Sequence, residues 1–457
     1  MAVVNPVAPT PTVPAASRAR RAGALTGVSL GYFMVLLDTT VLSVAEPDLA
    51  ASLRTSMAGL QWATTGYTVV FAAVLLSAGA AADRFGADRV FRTGTAVFAL
   101  ASLLSSLAPN LGALLALRAV AGAAAAACVP ASMALIACLY PQPAARARAI
   151  SVWAAVSGAA VAAGPIAGGA LVEAAGWRAV FLVNVPLGLL VLALTWGRVV
   201  RCPRGANRVD WSAQAAAVVV LALLTDVLIA AGAGAWVHAA WSAGGLGIAA
   251  TVFTVLERRS QAPVVNRTLL RSAPVRAGLL AGAVTNFALS GALFVLPLLL
   301  QRERHLSALE TGLAFLPLTV PFAANPPLTG RIVARTGPRP PILAGLALLT
   351  AGGTILAGTV LTEGAYVWLA AGLFLTGLGI SFVLPALAAA VIGAAPPGTA
   401  GSVGGLLNAI RQIGGTLGVA LMGAAATAGT GWSLLLSGGL CGLAWLAFAL
   451  TPRGTPQ

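Results

Sequence analysis

The sequence predicts an all-α integral membrane protein. Three features carry that prediction: fourteen apolar stretches, arginines that fall on alternate sides of them, and a chain that is 59% hydrophobic but only 9% charged. No water-soluble domain of this length has such a composition. A helix needs about 20 apolar residues to cross the hydrocarbon core. Spans are expected near 24–45, 58–82, 90–108, 111–139, 149–172, 178–197 and 212–232. Seven more follow near 236–256, 277–300, 308–329, 341–360, 365–388, 401–427 and 430–450.

The arginines orient these spans. All 27 basic residues are Arg, and with residue 1 in the cytoplasm 21 of them fall in cytoplasmic segments. Four would lie outside (Arg54, Arg178, Arg302, Arg304) and two inside spans (Arg118, Arg411). The positive-inside rule gives this bias, and the reverse orientation violates it in nearly every loop. An even number of spans returns the chain to its starting side, so both termini are expected in the cytoplasm. The net charge of +15 needs no nucleic acid, because loop arginines facing anionic lipid account for it. The scarcity of Lys beside abundant Ala and Gly suggests a high-GC bacterium and a plasma-membrane location. Cys128, Cys138, Cys202 and Cys441 have no metal-site spacing and read as packing residues. No cleavable signal peptide is expected.

Loops are short, so no soluble domain is expected. Residues 1–23 read as a disordered cytoplasmic tail, 24–200 as a six-helix bundle, and 201–276 as a linker with two extra spans. Residues 277–450 form a second six-helix bundle, and 451–457 a cytoplasmic tail. The two bundles share motifs. Gly79, Arg84 and Gly86 match Gly330, Arg335 and Gly337 at identical spacing, and Gly122 and Pro130 match Gly377 and Pro385. Parallel six-helix halves belong to alternating-access transporters, with the substrate site between them near midplane.

Longer motifs sharpen this. LLDTTVLSVAEPDL (Leu36 to Leu49), GAAADRFGADR (Gly79 to Arg89), LRAVAG (Leu117 to Gly122) and GPIAGG (Gly164 to Gly169) come in order on the first five spans. GWRAVFLVNVPLG (Gly176 to Gly188), Gln301, TGLAFLP (Thr311 to Pro317) and NAIRQIGG (Asn408 to Gly415) follow. From Leu37 to about Met422 the chain resembles the major facilitator superfamily, and within it the 14-span drug/proton antiporters of the methylenomycin-resistance type. Departures from that pattern are Ala121, Glu46, Ala160 and a thirteenth span without an acid. The resemblance implies a major facilitator fold of two six-helix bundles plus two extra helices. It implies proton-coupled efflux of a small amphiphilic drug or antibiotic by a monomer. The expected partners are substrate, protons and lipid. Neither a cofactor nor a metal is expected.

Asp38 is the sharpest candidate. It lies about 21 Å along its span, inside a core about 30 Å thick, where an ionisable group is costly and functional by default. Arg118 sits at a similar depth, about 10 Å from the outer surface. Asp38 is therefore the expected proton carrier and Arg118 its charge partner, with a permanent structural pair as the alternative. The resemblance makes Asp83, Arg84, Gly86 and Arg89 a cytoplasmic latch, and Gly164, Pro165, Gly168 and Gly169 an outer seal kinked by its proline and closely packed through its glycines. Tyr32, Met34, Met133, Asn286, Phe287, Phe374, Phe382, Asn408 and Arg411 are the candidate cavity residues. Partners for Arg411 are left open among backbone carbonyls, amides and substrate. Asn325 is assigned either to the cavity or to a helix partner, Glu46 and Asp48 to a solvated outer rim, and Asp226 to an ancillary structural role.

No enzyme is expected. GVSLG around Ser29 matches a serine-hydrolase elbow, but that elbow needs a strand-turn-helix setting. A chain without Lys cannot carry a GxxxxGK[ST] phosphate loop. The GPIAGG motif favours export over proton-coupled uptake, the competing transport reading. A non-transporting receptor is the more distant alternative, and Asp38 and Arg118 argue against it.

Overall fold

The computed structural model describes residues 18–196, 202, 210–260, 273–393 and 400–451, which are helical almost throughout and contain no strand. The first half comprises α1 (Arg18–Leu53), α2 (Met57–Phe85), α3 (Ala87–Ser106), α4 (Leu111–Leu139), α5 (Pro143–Ala175), α6 (Ala179–Leu182) and α7 (Asn184–Thr195). Two helices, α8 (Trp211–Gly232) and α9 (Trp236–Arg259), come next. The second half begins with α10 (Ala273–Leu298), which ends in a π turn at Leu299–Glu303. It continues through α11 (Ala308–Ala314), α12 (Leu316–Ala324), α13 (Pro326–Thr336), α14 (Arg339–Leu361), α15 (Tyr366–Gly393), α16 (Ala400–Ala426) and α17 (Thr430–Ala449).

Local chemistry sets the boundaries. Ser56 caps α2 by accepting from the Gly59 N–H, and Asn110 caps α4 from Ala113 at 2.9 Å. Pro143 begins α5, where its missing N–H costs nothing. Ser307 and Glu310 form a reciprocal capping box on α11. Asp210 caps α8, and hydrogen bonds led by the Ser212 hydroxyl lower its carboxyl pKa to about 2.

Among the described residues, ten helices are long and apolar enough to cross a membrane. The other four expected spans are helical but do not form single helices of that kind. Expected span 90–108 lies in α3, which opens with Asp88, Arg89 and Arg92. Span 178–197 is divided into α6 and α7 at Val183. Span 308–329 is divided into α11, α12 and α13, with Pro317 and Pro326 in the first turns of the last two. Span 401–427 lies in α16, which carries Asn408, Arg411 and Gln412. The expected tail 1–23 is corrected at one end: residues 18–23 already belong to α1, and residues 1–17 lie outside the described residues. Much of the linker (201, 203–209 and 261–272) and the tail from 452 onward also lie outside them.

In the first half α1 packs on α5 and α7, and α4 on α2 and α3; in the second α10 packs on α16, and α14 on α15 and α17. Helix α8 leans on α2 and α16, while α9 touches mainly α8. Trp236 and Trp241 of α9 are 70% and 79% exposed, as suits a helix turned toward lipid. Asp226 on α8 bonds His238 and Ser242 on α9, so it ties the extra pair together. The repeat motifs take equivalent geometry. Gly86 and Gly337 both have positive φ (92° and 78°) at a helix-to-helix turn, a conformation that favours glycine. Gly122 meets the Tyr67 carbonyl of α2, and Gly377 meets the Leu318 carbonyl of α12.

One cysteine expectation is overturned. Cys138, at the end of α4, is disulfide-bonded to Cys202, 64 residues away. Spacing in sequence carries no trace of that proximity. Cys128 and Cys441 remain free and buried.

Candidate functional site

A cavity of about 1340 Å³ lies between the two halves. Its walls come from α1, α2, α4 and α5 on one side and α10, α12, α13, α15 and α16 on the other. It reaches from Glu46 and Thr64 at one end to Gly79 and Asp83 at the other. At the Asp83 end, which carries the arginine-rich turns, Gly404 and Gly405 look onto open space, as does Gly158 further in along α5.

The opposite end is sealed by bonds between the halves. Gln61 Nε2 donates to the carbonyls of Val419 and Ala420 at 3.2 and 2.9 Å. Gln301 Nε2 donates to the Val44 carbonyl at 2.9 Å. Glu173 accepts from the Ser307 hydroxyl and the Leu309 N–H, each at 3.2 Å. Gly169 packs on the Ala308 backbone, and Gly312 on that of Pro165. Gly164 and Gly168 do not cross between the halves: they pack on Thr40 and Val41 of α1. The GPIAGG stretch therefore faces two ways, and a single glycine of it reaches the other half.

Asp38 and Arg118 meet in the wall of the cavity. Asp38 is 0% exposed and Arg118 is 2%. Arg118 Nη1 lies 2.5 Å from Asp38 Oδ2. The other carboxylate oxygen accepts from Asn184 Nδ2 at 2.9 Å, and the same amide reaches the Ser102 hydroxyl at 3.4 Å. The guanidinium stands 4.4 Å from the Tyr67 ring centre and 5.6 Å from that of Phe181, a cation–π arrangement. Arg118, but not Asp38, lines the cavity. A buried ion pair needs such company, since removing one partner costs about 3–5 kcal/mol. Arg118 Nε, Asn184 Oδ1 and the Tyr67 hydroxyl have no hydrogen-bond partner among the described residues.

The second half presents another arginine. Arg411 lines the cavity and donates to Asn408 Oδ1 at 3.1 Å and to Asn286 Oδ1 at 3.3 and 3.4 Å. Asn286 passes a further bond to Gln412 at 3.2 Å. Tyr32 stacks on Trp153 at 4.5 Å, and both line the cavity, as does Met133.

Four other expected cavity residues lie elsewhere. Met34 is fully buried in the first-half core beside Gly188, and Phe287 is buried in the second-half core with its backbone against Gly418. Phe382 packs against α14 at Gly345, and Phe374 is 48% exposed without lining the cavity. Asn325 bonds Ser381 and Thr329 at 2.8 and 3.1 Å, so it serves a helix partner. Glu46 and Asp48 do not form a solvated rim. Glu46 is 1% exposed, lines the cavity and accepts from Thr64 at 3.0 Å. Asp48 accepts from the Trp177 N–H at 2.8 Å and fastens the start of α6. At the open end Asp83, Arg84 and Arg89 are exposed, and Arg84 lies over Phe85 at 5.4 Å. Ser29 is buried inside α1, with no hydrogen-bond partner among the described residues.

Sequence reasoning passed over Asn184, Tyr67 and Gln61. Each is a polar group within an expected span, and Asn184 is the only amide of GWRAVFLVNVPLG. That was the available signal.

Paired helical halves around one cavity, sealed at one end and open at the other, define a multi-pass membrane transporter. The family model of the Major Facilitator Superfamily matches residues 28–419 and 279–457. The chain belongs to that superfamily and is not an enzyme. It is 34% identical over 408 residues to the tetracenomycin C resistance and export protein of Streptomyces glaucescens, covering 87% of this chain and 74% of that one. It is 33% identical over 436 residues to the methylenomycin A resistance protein of Bacillus subtilis, covering 92% and 93%. Among solved structures, a bacterial homologue of the human lysosomal transporter Spinster, inward-facing and unoccupied, superposes with a TM-score of 0.71. That match has 18% identity and covers 97% of this chain and 100% of the other.

Proposed function

We propose that this protein is a proton-driven exporter of a small amphiphilic drug or antibiotic, working as a monomer by alternating access in a bacterial plasma membrane. It spans the membrane fourteen times, with both termini in the cytoplasm and no cofactor. The observation that carries the reading is a buried Asp38–Arg118 pair in the wall of a cavity that opens at the arginine-rich end. By the positive-inside rule that end is cytoplasmic, so the cavity is in its cytosol-facing state. The drug and antibiotic resistance proteins among its relatives support the direction of transport.

The coupling follows from charge. With Asp38 ionised, Arg118 is held against α1. A proton on Asp38 removes that attraction and frees the guanidinium, so the halves exchange which end is closed. The resistance to that change lies in the seal, where Gly169 and Gly312 let backbones touch. One proton falling through ~100 mV supplies ~2.3 kcal/mol, and one pH unit adds ~1.4 kcal/mol. Together these sustain a gradient of about 500-fold for a neutral solute. The test is antibiotic accumulation in energised cells of a susceptible host. Wild type should lower accumulation, a protonophore should restore it, and Asp38→Asn should behave like the empty host. Lowered accumulation by Asp38→Asn, equal to wild type, would remove the proposed role of this carboxylate.

A further inference from the structure

Arg411 is charged, lines the cavity, and among the described residues bonds only neutral amides. Among the described residues, four that line the cavity carry formal charge: Glu46, Asp83, Arg118 and Arg411. Arg118 is neutralised by Asp38 behind it. Glu46 sits at the sealed end on Thr64, and Asp83 at the open mouth. None of these carboxylates forms an ion pair with Arg411, whose guanidinium spends its bonds on Asn286 and Asn408. Amide oxygens satisfy hydrogen bonds but cannot balance a full charge in a low-dielectric wall. An anion entering from the cavity would supply that balance through charge-assisted bonds. Tyr32 and Trp153, stacked and lining the same cavity, offer an apolar surface for the rest of such a molecule.

We infer that Arg411 is the receptor for an acidic group, a carboxylate or an ionised phenol, on the exported molecule. This rests on the export reading above, but the test below uses binding alone, so it can fail while export stands. Purified full-length protein in phosphatidylcholine nanodiscs is titrated with fluorescein, and binding is followed by fluorescence polarisation. Rhodamine 123, a cation of similar size and shape, serves as control. Fluorescein should bind about tenfold or more weakly to Arg411→Gln, the loss expected for one charge-assisted pair. Arg411→Lys should recover most of the affinity, and rhodamine 123 binding should not weaken in Arg411→Gln. A second arm needs only wild type: 1-naphthoate should displace fluorescein, and methyl 1-naphthoate should not. Equal displacement by acid and ester would overturn the inference even if the variants fail to fold. So would fluorescein affinity unchanged in a folded Arg411→Gln, or no binding of either acid to wild type. A lipid phosphate could present the same chemistry. If phosphatidylglycerol in the disc competes with fluorescein at Arg411, the site is a lipid site and the substrate assignment is wrong.

Discussion

Two arginines face one cavity, Arg118 buried and Arg411 half-buried, and they are held in opposite ways. Arg118 in the first half is paired with a carboxylate, backed by Asn184 and stacked near Tyr67. Arg411 in the second half is held by two asparagines. The repeat does not relate them. Counting four residues back from the matched Gly122 and Gly377 places Leu373 opposite Arg118, and Leu373 is fully buried. Likewise the identical spacing that matches Gly86 to Gly337 puts Leu318 opposite Tyr67. The halves thus share a backbone scaffold of close helix contacts while their charge has diverged. The first half holds a buried carboxylate–guanidinium pair, the arrangement on which the proposed proton coupling rests. The second holds a cation bonded to amides, with no carboxylate partner among the described residues, the arrangement on which the proposed binding role rests.

The largest effect should come from splitting the pair. Asp38→Asn or Arg118→Gln leaves one buried group without its partner, at about 3–5 kcal/mol. The double variant should regain much of that stability, read as melting temperature in detergent, yet remain inactive in drug efflux. Equal melting of the single and double variants would show that the pair is not energetically coupled. Next, Asn184→Ala removes a hydrogen bond to a charged group, worth about 1.5–3 kcal/mol. It should shift the pH dependence of efflux without changing protein level; an unshifted profile would mean that the amide does not act on Asp38. Smaller still, Arg411→Gln removes charge-assisted bonds from a half-buried guanidinium to two amides, but it also removes an unpaired charge from the cavity wall, so the net change in stability should be less than for Asn184→Ala. It should raise the drug concentration for half-maximal transport about tenfold and leave protonophore sensitivity intact. Loss of that sensitivity would erase the contrast between the two arginines.

How much of this was legible in the sequence depends on the kind of signal. Charge inside an apolar helix is conspicuous, and counting rise per residue set Asp38 and Arg118 at a common depth. Gly79 to Gly86 and Gly330 to Gly337 announced the repeat, because a turn with positive φ restricts the residue that can stand there. Rotational position was not legible. Helix α15 is apolar on nearly every side and α10 has only a few polar groups, Thr285, Asn286 and Ser290, near its middle, so periodicity says little about which aromatic faces the cavity, and Phe287, Phe374 and Phe382 were misplaced for that reason. Glu46 was read as solvated because it lies near a helix end; tertiary packing of α2 covers it. The Cys138–Cys202 bond joins positions that only the folded chain brings together.

On the proposed mechanism Asp38 carries the coupled proton while Arg411 serves affinity. Proton release on binding tests it directly. Purified protein in weakly buffered detergent is mixed with an antibiotic to which its expression confers resistance, and the pH is followed with a soluble dye. Wild type should release protons on binding, as the antibiotic draws proton-loaded molecules into the ionised Asp38–Arg118 state. Arg411→Gln should release as many once the antibiotic is saturating, at a concentration about tenfold higher. Asp38→Asn should release none while still binding the antibiotic. Proton release by Asp38→Asn equal to that of wild type would contradict the account.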